Sequence, residues 1–262
     1  MKFEIDKKIY TVDKDLHTHT VYSRNHAFGT IEENVLSARE KGIKTLGITD
    51  HGPGHILYGI KREDVPKMKE EIQRLNEKYR DIRILLGVEA NIINKNGMLD
   101  VRPAEIAEYD YIAAGYHYGA IGRNPVSSMV CHCKNFLATK TKKEVIRLMK
   151  KNTSFIVNAL EKNDISILTH PGDKAPVDLL KIAVVCKETD TLVEINTSHL
   201  SLSADDLKTM ALSDCKFVIN SDAHKPDRVG DMLSGVKLVI EAGIDLSRVI
   251  NLKEEPADKE KY

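Results

Sequence analysis

The sequence predicts an α/β fold in which seven parallel strands alternate with helices and close into a barrel. Three observations support this prediction. The chain has 262 residues, a length that suits one large domain of this kind. Short apolar segments alternate with longer amphipathic ones along most of the chain. Nearly every apolar segment ends in a residue that can bind a metal ion, and barrels of this kind carry their chemistry at the strand ends.

The elements follow one another in a regular order. Residues 1–14 alternate loosely between apolar and charged, which predicts an edge strand or hairpin before the barrel. The first barrel strand covers residues 15–19, and Thr30 and Glu33 form a capping box that starts a helix over residues 31–41, with Gly42 as its stop. The next elements are a strand at 45–49, a helix at 64–79, strands at 82–88 and 109–115, and a helix at 141–161.

The second half of the chain continues the pattern. We predict a strand at 165–169, a helix that starts at Pro176, a strand at 192–195, a helix capped by Ser203, a strand at 216–220 and a helix at 229–242. Together these elements predict one domain over residues 1–252, in which residues 1–14 are an N-terminal extension. Residues 253–262 are predicted to be a frayed, charged tail.

Composition narrows the classes of function. The 39 basic and 39 acidic residues cancel, so no net charge attracts the protein to nucleic acid or to an anionic membrane. The N-terminal residues lack the apolar core of a signal peptide, and no apolar run approaches the ~18 residues of a membrane span. We therefore expect a cytoplasmic protein. The four cysteines do not make a disulfide framework, and Cys131-His132-Cys133 lacks the second ligand pair of a zinc module.

Metal-capable residues collect at the predicted strand ends. His17 and His19 would point to the same side of a strand, because alternate strand residues share a face. Seven of the ten histidines lie at or just beyond strand ends, and two carboxylates join them at the same mouth of the barrel. Since zinc takes about four ligands, two or three ions are needed, and Glu89 is the natural bridge. The nine predicted ligands are His17, His19, His26, His51, Glu89, His117, His170, Asp222 and His224.

Six motifs in this order resemble those of the PHP (polymerase and histidinol phosphatase) family, and the stand-alone bacterial phosphatases match best. The resemblance covers about residues 13 to 250, although 262 residues leave no room for the palm or fingers of a polymerase. The motifs are Asp15-Leu16-His17-Thr18-His19-Thr20, Thr49-Asp50-His51-Gly52-Pro53, Gly87-Val88-Glu89-Ala90-Asn91, Ala114-Gly115-Tyr116-His117, Thr169-His170-Pro171-Gly172 and Ser221-Asp222-Ala223-His224.

The resemblance implies a distorted seven-stranded (β/α)7 TIM-like barrel, the PHP fold, with a trinuclear centre that usually holds zinc. Histidine and carboxylate ligands also suit manganese and iron. By resemblance, His17, His19, Glu89 and Asp222 hold one ion, Glu89, His117 and His170 hold a second, and His26, His51 and His224 hold a third. The spacing from His19 to His26 is slightly longer than in close relatives, which makes His26 the least secure ligand.

The predicted activity is hydrolysis of small phosphomonoesters, of which histidinol phosphate is one family substrate. Paired divalent ions lower the pKa of bound water from 15.7 towards ~7 and stabilise charge on the attacking and leaving oxygens. The predicted mechanism is in-line attack by a metal-bridging hydroxide, activated by the ligands Glu89, Asp222 and His170. No serine or cysteine nucleophile with a paired base is recognisable.

Other residues are candidates for supporting roles. Asp15 and Asp50 precede ligand histidines, so they are candidates either for orienting imidazoles or for ordinary capping. His55 and His199 are candidate proton donors to the leaving group. Candidate contacts to the substrate lie on strand-end loops, where a solvated charge or a turn is the alternative reading; they are Arg24, Arg123, Lys174, Arg228 and Asn196.

Three alternatives to a phosphatase remain open. A phosphodiesterase or nuclease would use the same metal centre, but the neutral charge and the lack of an aromatic and basic stacking stripe disfavour binding of nucleic acid. A hydrolase of the amidohydrolase kind also begins with His-x-His, but this reading leaves His26, His51 and His224 without a role, and the sequence offers no obvious strand-end lysine to bridge two metal ions. A metal-binding protein without turnover would keep every ligand. Nothing in the sequence indicates an oligomeric state.

Overall fold

A computed structural model describes residues 1–121, 135 and 142–256. Seven strands form one sheet in sequence order, and every neighbouring pair in this sheet is parallel. The first and last of them approach each other at a bridge between Thr18 and Ala223, where the His19 N–H donates to the Ala223 carbonyl over 2.8 Å. The sheet therefore nearly closes, and the predicted seven-stranded barrel is confirmed.

The barrel strands lie close to their predicted positions. In chain order they are β3 (Lys14–Thr18), β4 (Thr45–Ile48), β5 (Arg83–Asn91), β6 (Tyr111–Gly115), β7 (Ile167–Leu168), β8 (Leu192–Asn196) and β9 (Phe217–Asn220). The numbering starts at β3 because the N-terminal residues form two strands of their own, β1 (Lys2–Ile5) and β2 (Lys8–Val12). β5 extends beyond its predicted end, which adds Glu89, Ala90 and Asn91 to the strand itself.

Helices cover the outside of the barrel. They are α1 (Ile31–Glu40), α2 (Val65–Lys78), α3 (Lys142–Lys162), α4 (Leu179–Glu188), α5 (Ala204–Ala211) and α6 (Leu233–Ala242). The predicted capping box of α1 is present, with the Thr30 side chain on the Glu33 N–H and the Glu33 carboxylate on the Thr30 N–H. None of the helices in the described part of the chain has both the length and the hydropathy that a membrane-spanning segment needs.

Two predicted helix starts are wrong. The helix placed at Pro176 begins at Leu179, because the Asp178 side chain caps it by accepting from the Lys181 N–H. The helix placed at residue 229 begins only at Leu233, after a 3₁₀ turn over Pro226–Arg228. Gly230 interrupts the segment with φ of +76°, a conformation that does not continue a right-handed helix.

The N-terminal extension is a hairpin. β1 and β2 pair antiparallel, and β10 (Leu252–Glu254) pairs with β2 on its other side. The prediction of a frayed tail from Lys253 is therefore wrong for Lys253 and Glu254, which strand pairing and an ion pair between Lys8 and Glu254 of 3.1 Å hold in place. Residues 257–262 lie outside the described residues.

The inside of the barrel changes from apolar to polar along the strands. Near its base, Leu16, Ala113, Ile167 and Val218 pack together with Tyr111. Glycines at 47 and 87 leave room for the Tyr111 ring, since a Cβ at either position would lie within 2.6 Å of its atoms. On β5, β6, β8 and β9, the residue two positions after the apolar layer lies on the same face of the strand, and it is either polar or a glycine. The apolar layer closes the bottom, and the polar residues lie at the carboxyl ends of the strands.

Candidate metal centre

The structure brings the predicted metal ligands together at the carboxyl end of the barrel. Seven of them are at most 5% exposed, whereas the side chain of His224 is 23% exposed and His26 is exposed to solvent. The seven buried ligands come from strands β3, β5 and the loops that follow β3, β4, β6, β7 and β9; they are His17, His19, His51, Glu89, His117, His170 and Asp222.

Glu89 lies at the centre of the cluster. Its Oε1 is 2.9 Å from His170 Nε2, 3.1 Å from His117 Nε2 and 3.4 Å from His17 Nε2. Its Oε2 is 2.8 Å from His51 Nδ1. One carboxylate thus faces imidazoles from four different barrel segments. This is the geometry of a bridging ligand, as the sequence predicts for Glu89.

A second carboxylate, that of Asp222, also lies against the His17 and His19 rings. Asp222 Oδ1 is 3.0 Å from His19 Nε2 and 3.6 Å from His17 Nε2. The two Nε2 atoms of His17 and His19 are themselves 3.1 Å apart. Ligand atoms of His17, His19 and Glu89 lie within 4.8 Å of one another, and Asp222 contacts both imidazoles, so the four residues of the first predicted ligand set are neighbours; that they bind one ion stays a prediction.

Hydrogen bonds at the outer ring nitrogens fix the direction of several imidazoles. His17 Nδ1 lies 2.7 Å from Glu194 Oε1, His117 Nδ1 lies 2.8 Å from Asn91 Oδ1, and His224 Nδ1 lies 3.0 Å from the Asp222 carbonyl. Because each partner is an acceptor, each Nδ1 carries the proton in the neutral ring. The lone pair is then on Nε2, which points towards the cluster. This tautomer is the one that can bind a metal ion.

Buried atoms without a partner are the strongest sign that the cluster holds ions. Among residues 1–121, 135 and 142–256, both ring nitrogens of His51, Oε2 of Glu89 and Nε2 of His224 are buried and have no hydrogen-bond partner. Although His51 Nδ1 is 2.8 Å from Glu89 Oε2, the contact lacks hydrogen-bond alignment. Leaving such atoms unpaired is costly. The residues present therefore fit a group of divalent metal ions.

Charge in the cluster also favours cations. Burial raises the pKa of Glu89, but the nearby His117 and His17 outweigh burial and hold this pKa well below its usual range. The pKa of Asp222 is lowered in the same way, since His17 and His19 outweigh its burial. Burial lowers the pKa of His17, but Glu194 and Glu89 outweigh it and raise the pKa well above the ordinary value. A positive charge is therefore favoured at His17 Nε2, and either a proton or a metal ion can provide it.

Two ligands lie at strained backbone positions. His170 has φ of +28° and Asp222 has φ of +51°, values that residues with a Cβ seldom adopt. Each lies two residues beyond the end of a barrel strand, His170 after β7 and Asp222 after β9. Strain of this kind persists where the surrounding structure enforces it, and it is typical of active sites.

Comparison with known proteins agrees with this geometry. The model of the PHP domain family matches residues 15–198. The chain belongs to the PHP domain family. A protein of Thermoanaerobacter sp. named "Probable phosphatase" is 30% identical over 254 residues, which cover 90% of this chain and 89% of that protein. The family predicted from the six motifs is thus confirmed.

Two solved structures share the fold. A candidate histidinol phosphatase of Listeria monocytogenes has a TM-score of 0.64 at 16% identity and covers 85% of this chain and 99% of that one. The histidinol phosphate phosphatase of Lactococcus lactis, complexed with zinc, L-histidinol and phosphate, has a TM-score of 0.60 at 15% identity and covers 89% of this chain and 94% of that one. These matches confirm the distorted (β/α)7 barrel of the PHP fold.

His26 occupies the edge of this PHP domain centre. Its ring stacks on Tyr58 at 4.1 Å and lies 4.5 Å from the His224 ring and 5.3 Å from the His51 ring. Tyr58 in turn stacks on His55 at 3.4 Å. Ligand atoms of His19, His51 and His224 lie within 4.8 Å of one another, and His26 is outside that group. Its position agrees with its being the least secure ligand.

The first residue that the sequence analysis missed is Glu194. It is fully buried, and its carboxylate accepts from His17 Nδ1 and from the His170 N–H over 2.7 and 2.8 Å. Its only signal in the sequence is a charged residue between the apolar residues Val193 and Ile195 of β8. Such a residue is rarely buried without a specific partner.

Asn91 and Asp100 form a second support that was missed. Asp100 accepts from Asn91 Nδ2 over 2.6 Å and from the Gly54 N–H over 2.8 Å, and Asn91 Oδ1 faces His117. Gly52 and Gly54 lie against this carboxylate, where a Cβ would come within 2.6 Å of its atoms. The glycines of the loop after β4 therefore allow Asp100 to hold the amide that orients His117.

Asp50 and Asp15 differ in their relation to the site. Asp50 accepts from the Ser23 hydroxyl over 2.6 Å, and Ser23 Oγ lies 3.4 Å from His19 Nδ1 and accepts from the His51 N–H over 3.1 Å. Asp50 therefore acts on the imidazoles through Ser23. Asp15 accepts from Ser221 and from the Gly230 N–H and orients no imidazole, so the capping alternative applies to it.

The candidate substrate contacts are mostly engaged elsewhere. Asn196 Nδ2 donates to Glu194 and Asp222, and its Oδ1 accepts from two backbone N–H groups, so its role as a substrate contact stays a prediction. Arg24 Nε donates to the Gly59 carbonyl over 2.9 Å. Lys174 and Arg228 form ion pairs with Asp173 and Asp231 at 2.5 and 2.6 Å. Arg123 and the Cys131-His132-Cys133 run lie outside the described residues.

The two candidate proton donors have different surroundings. His55 is buried, and its Nε2 lies 2.7 Å from the Tyr118 carbonyl. The Nε2 proton that His55 would donate to a leaving group is therefore already hydrogen-bonded to this carbonyl. Burial lowers the pKa of His55 to about 4. The side chain of His199 is 38% exposed at the mouth, with Nε2 at 3.8 Å from Asp222 Oδ2 and Nδ1 at 3.6 Å from Asp173. His199 is the better placed of the two.

Proposed function

We propose that this protein is a metal-dependent phosphatase that hydrolyses small phosphomonoesters at the open end of its barrel. The observation that carries the proposal is the set of buried, unpartnered ligand atoms on His51, Glu89 and His224. They lie beside imidazoles whose Nδ1 protons are already committed to other acceptors. Relatives over nearly the whole chain are named phosphatases.

Three divalent ions, zinc before manganese or iron, fit the nine ligands. His17, His19, Glu89 and Asp222 would hold one ion, Glu89, His117 and His170 a second, and His26, His51 and His224 a third. Bound there, such ions supply ionisation of water near neutral pH and positive charge opposite the phosphate oxygens. Zinc in the Lactococcus lactis structure supports the choice of metal for the test.

The chain's own residues perform the remaining tasks. Glu89 and Asp222 stay ionised and hold negative charge at the base of the mouth, which keeps cations in place and leaves the phosphate group to bind on the open side. His199 lies at the rim, within 4 Å of both Asp173 and Asp222. Burial lowers the pKa of its imidazole below the ordinary value, so that the protonated ring would release its proton readily to the alcohol oxygen that leaves the ester, which is the role of a general acid.

The test is phosphate release by the zinc- or manganese-loaded protein over a panel of substrates. The panel contains small phosphomonoesters, including histidinol phosphate, together with phosphodiesters and short DNA. We expect selective turnover of monoesters that a chelator abolishes and added metal restores. His170→Ala is the matched control, since it removes one ligand and should abolish most of the rate while the fold persists.

Each other result would contradict a defined part of the proposal. Turnover of diesters alone would replace the phosphatase with a phosphodiesterase or nuclease. Absence of turnover with a full metal complement would indicate a metal-binding protein. A phosphorylated enzyme intermediate would exclude direct attack by water, and unchanged activity in His170→Ala would refute the assignment of the site.

A further inference from the structure

We propose that Glu194 is a positioning residue whose single carboxylate holds the ligands of two metal subsites in place, namely His17 in one and His170 in the other. The inference rests on the proposed function, because the subsites matter only if the protein binds metal. Glu194 is fully buried, and within the described part of the chain it forms no hydrogen bond to Glu89 or Asp222, so its role is to hold ligands and not to bind substrate.

Four donors share the Glu194 carboxylate. Oε1 accepts from His17 Nδ1 over 2.7 Å and from Asn220 Nδ2 over 2.9 Å. Oε2 accepts from the His170 backbone N–H over 2.8 Å and from Asn196 Nδ2 over 2.9 Å. The side chain is fully buried. Because all four partners are N–H donors, both oxygens of Glu194 must accept. An ionised carboxylate accepts at both oxygens, whereas a protonated one carries a donor on one of them.

The contact with His17 determines which ring nitrogen can bind metal. An acceptor at Nδ1 keeps the proton there and leaves the lone pair on Nε2, which faces Glu89 and Asp222 at 3.4 and 3.6 Å. The same support reaches the backbone of β3, because Asn220 Oδ1 accepts from the Leu16 N–H over 2.9 Å. Glu194 thus fixes both the tautomer and the location of His17.

The contact with His170 stabilises a strained backbone. With φ of +28°, this residue needs an external partner to remain in place. Its N–H donates to Glu194 Oε2, and its Nε2 then lies 2.9 Å from Glu89 Oε1 and 3.1 Å from His117 Nε2. One carboxylate on β8 therefore positions ligands that come from β3 and from the loop after β7. The His51 and His224 rings have no hydrogen bond to it among the described residues.

The isosteric substitution Glu194→Gln tests this coupling. Glutamine must present its NH₂ group to one of the two donor pairs, so either His17 must move its proton to Nε2 or the His170 N–H must lose its acceptor. We expect the affinity for the ions of these two subsites to fall about 10- to 100-fold. The ion of the His51 and His224 subsite should keep its affinity. Metal content after dialysis against buffered zinc, measured by mass spectrometry, gives the result without relying on activity.

Asp15→Asn is the matched control. Asp15 is also fully buried and accepts hydrogen bonds from Ser221, from the Gly230 N–H and from the backbone N–H of His17, but among the described residues no ligand imidazole donates to it. We expect this variant to lose stability and to retain its metal content. Equal metal loss in both variants would mean that buried carboxylates matter only for folding, and it would overturn the proposal for Glu194.

A measurement on the unaltered metal-loaded protein covers the case in which Glu194→Gln does not fold. Long-range ¹H–¹⁵N NMR of the histidine rings should show His17 protonated at Nδ1, with a proton shifted downfield by the carboxylate. A His17 ring protonated at Nε2 would overturn the proposal. If the wild type binds no metal, the proposed function fails instead, whereas normal metal affinity in Glu194→Gln refutes only the role of Glu194.

Discussion

The ligands of the centre fall into two groups that are held in different ways. The inner group is buried, and its histidines and Asp222 contact supports that are not ligands, such as Glu194, Asn91, Ser23 and Asn196, whereas Glu89 lies among these histidines; its members are His17, His19, Glu89, His117, His170 and Asp222. The outer group consists of His26, His51 and His224. In the described part of the chain, both ring nitrogens of His51 and Nε2 of His224 have no hydrogen-bond partner, and His26 is held by ring stacking.

The difference indicates different tasks for the two groups. Hydrogen bonds orient the inner ligands before any ion binds, so little freedom is lost on binding, and tight binding is expected. The outer ligands are oriented less strictly, and His26 and His224 lie nearer to solvent. We expect an outer ion to exchange more readily and to face the substrate.

The largest effect should come from Glu89→Gln. The neutral amide removes the charge that five imidazoles surround, so we expect the loss of inner ions and a fall in kcat of about 10³-fold or more, corresponding to several kcal/mol of charge stabilisation. Metal analysis and phosphate release measure both effects. If Glu89→Gln lost only the outer ion, the division into inner and outer groups would be wrong.

A smaller effect is expected from Asn91→Ala. His117 would keep its ring but lose the acceptor at Nδ1, and Asp100 would lose the side-chain amide that it holds at 2.6 Å. Loss of such a support costs about 10- to 100-fold in metal affinity or activity. A zinc titration of the metal-free variant measures it. An unchanged affinity would show that hydrogen bonds do not distinguish the two groups.

The sequence predicts where the candidate ligands lie better than it predicts the residues that support them. His17, Glu89 and Asp222 follow from periodicity, because residues at strand ends of a parallel barrel meet at one mouth. Glu194 could not be found this way, because its partner His17 is 177 residues away, and Asp100 could not because it does not directly follow a barrel strand and acts on His117 only through Asn91. Only the folded barrel brings them together.

The helix starts show the same limit of prediction from sequence. Thr30 was identified as a cap because its partner Glu33 is three residues away. The start of α6 was missed because the segment before it follows long-range contacts: the Gly230 N–H donates to Asp15, and Lys41 donates to the Val229 carbonyl. A sequence pattern therefore predicts a helix start only where the residues that determine this start are near each other in the sequence.

His26→Ala should have a mild effect compared with His51→Ala. His26 is exposed and lies outside the group formed by His19, His51 and His224, so we expect about a tenfold rise in KM or less, against a loss of about 10²-fold in kcat for His51→Ala. Steady-state kinetics at saturating and limiting zinc separate the two. Equal losses would place His26 among the ligands that hold the ion tightly.

The smallest change should be in the pH dependence of stability, through His55→Gln. Burial lowers the pKa of His55 to about 4 from the ordinary value of 6.5, so between these values the unfolded chain binds a proton that the folded chain does not. Folding stability contributed by neutral His55 is therefore complete above pH 6.5 and is lost as the pH falls towards 4, at up to about 1.4 kcal/mol per pH unit. Glutamine can still donate to the Tyr118 carbonyl but does not titrate. Urea unfolding at pH 7.5, 5.5 and 4.5 should give a shallower loss for the variant, and parallel losses would mean that His55 is protonated as easily in the folded protein as in the unfolded chain.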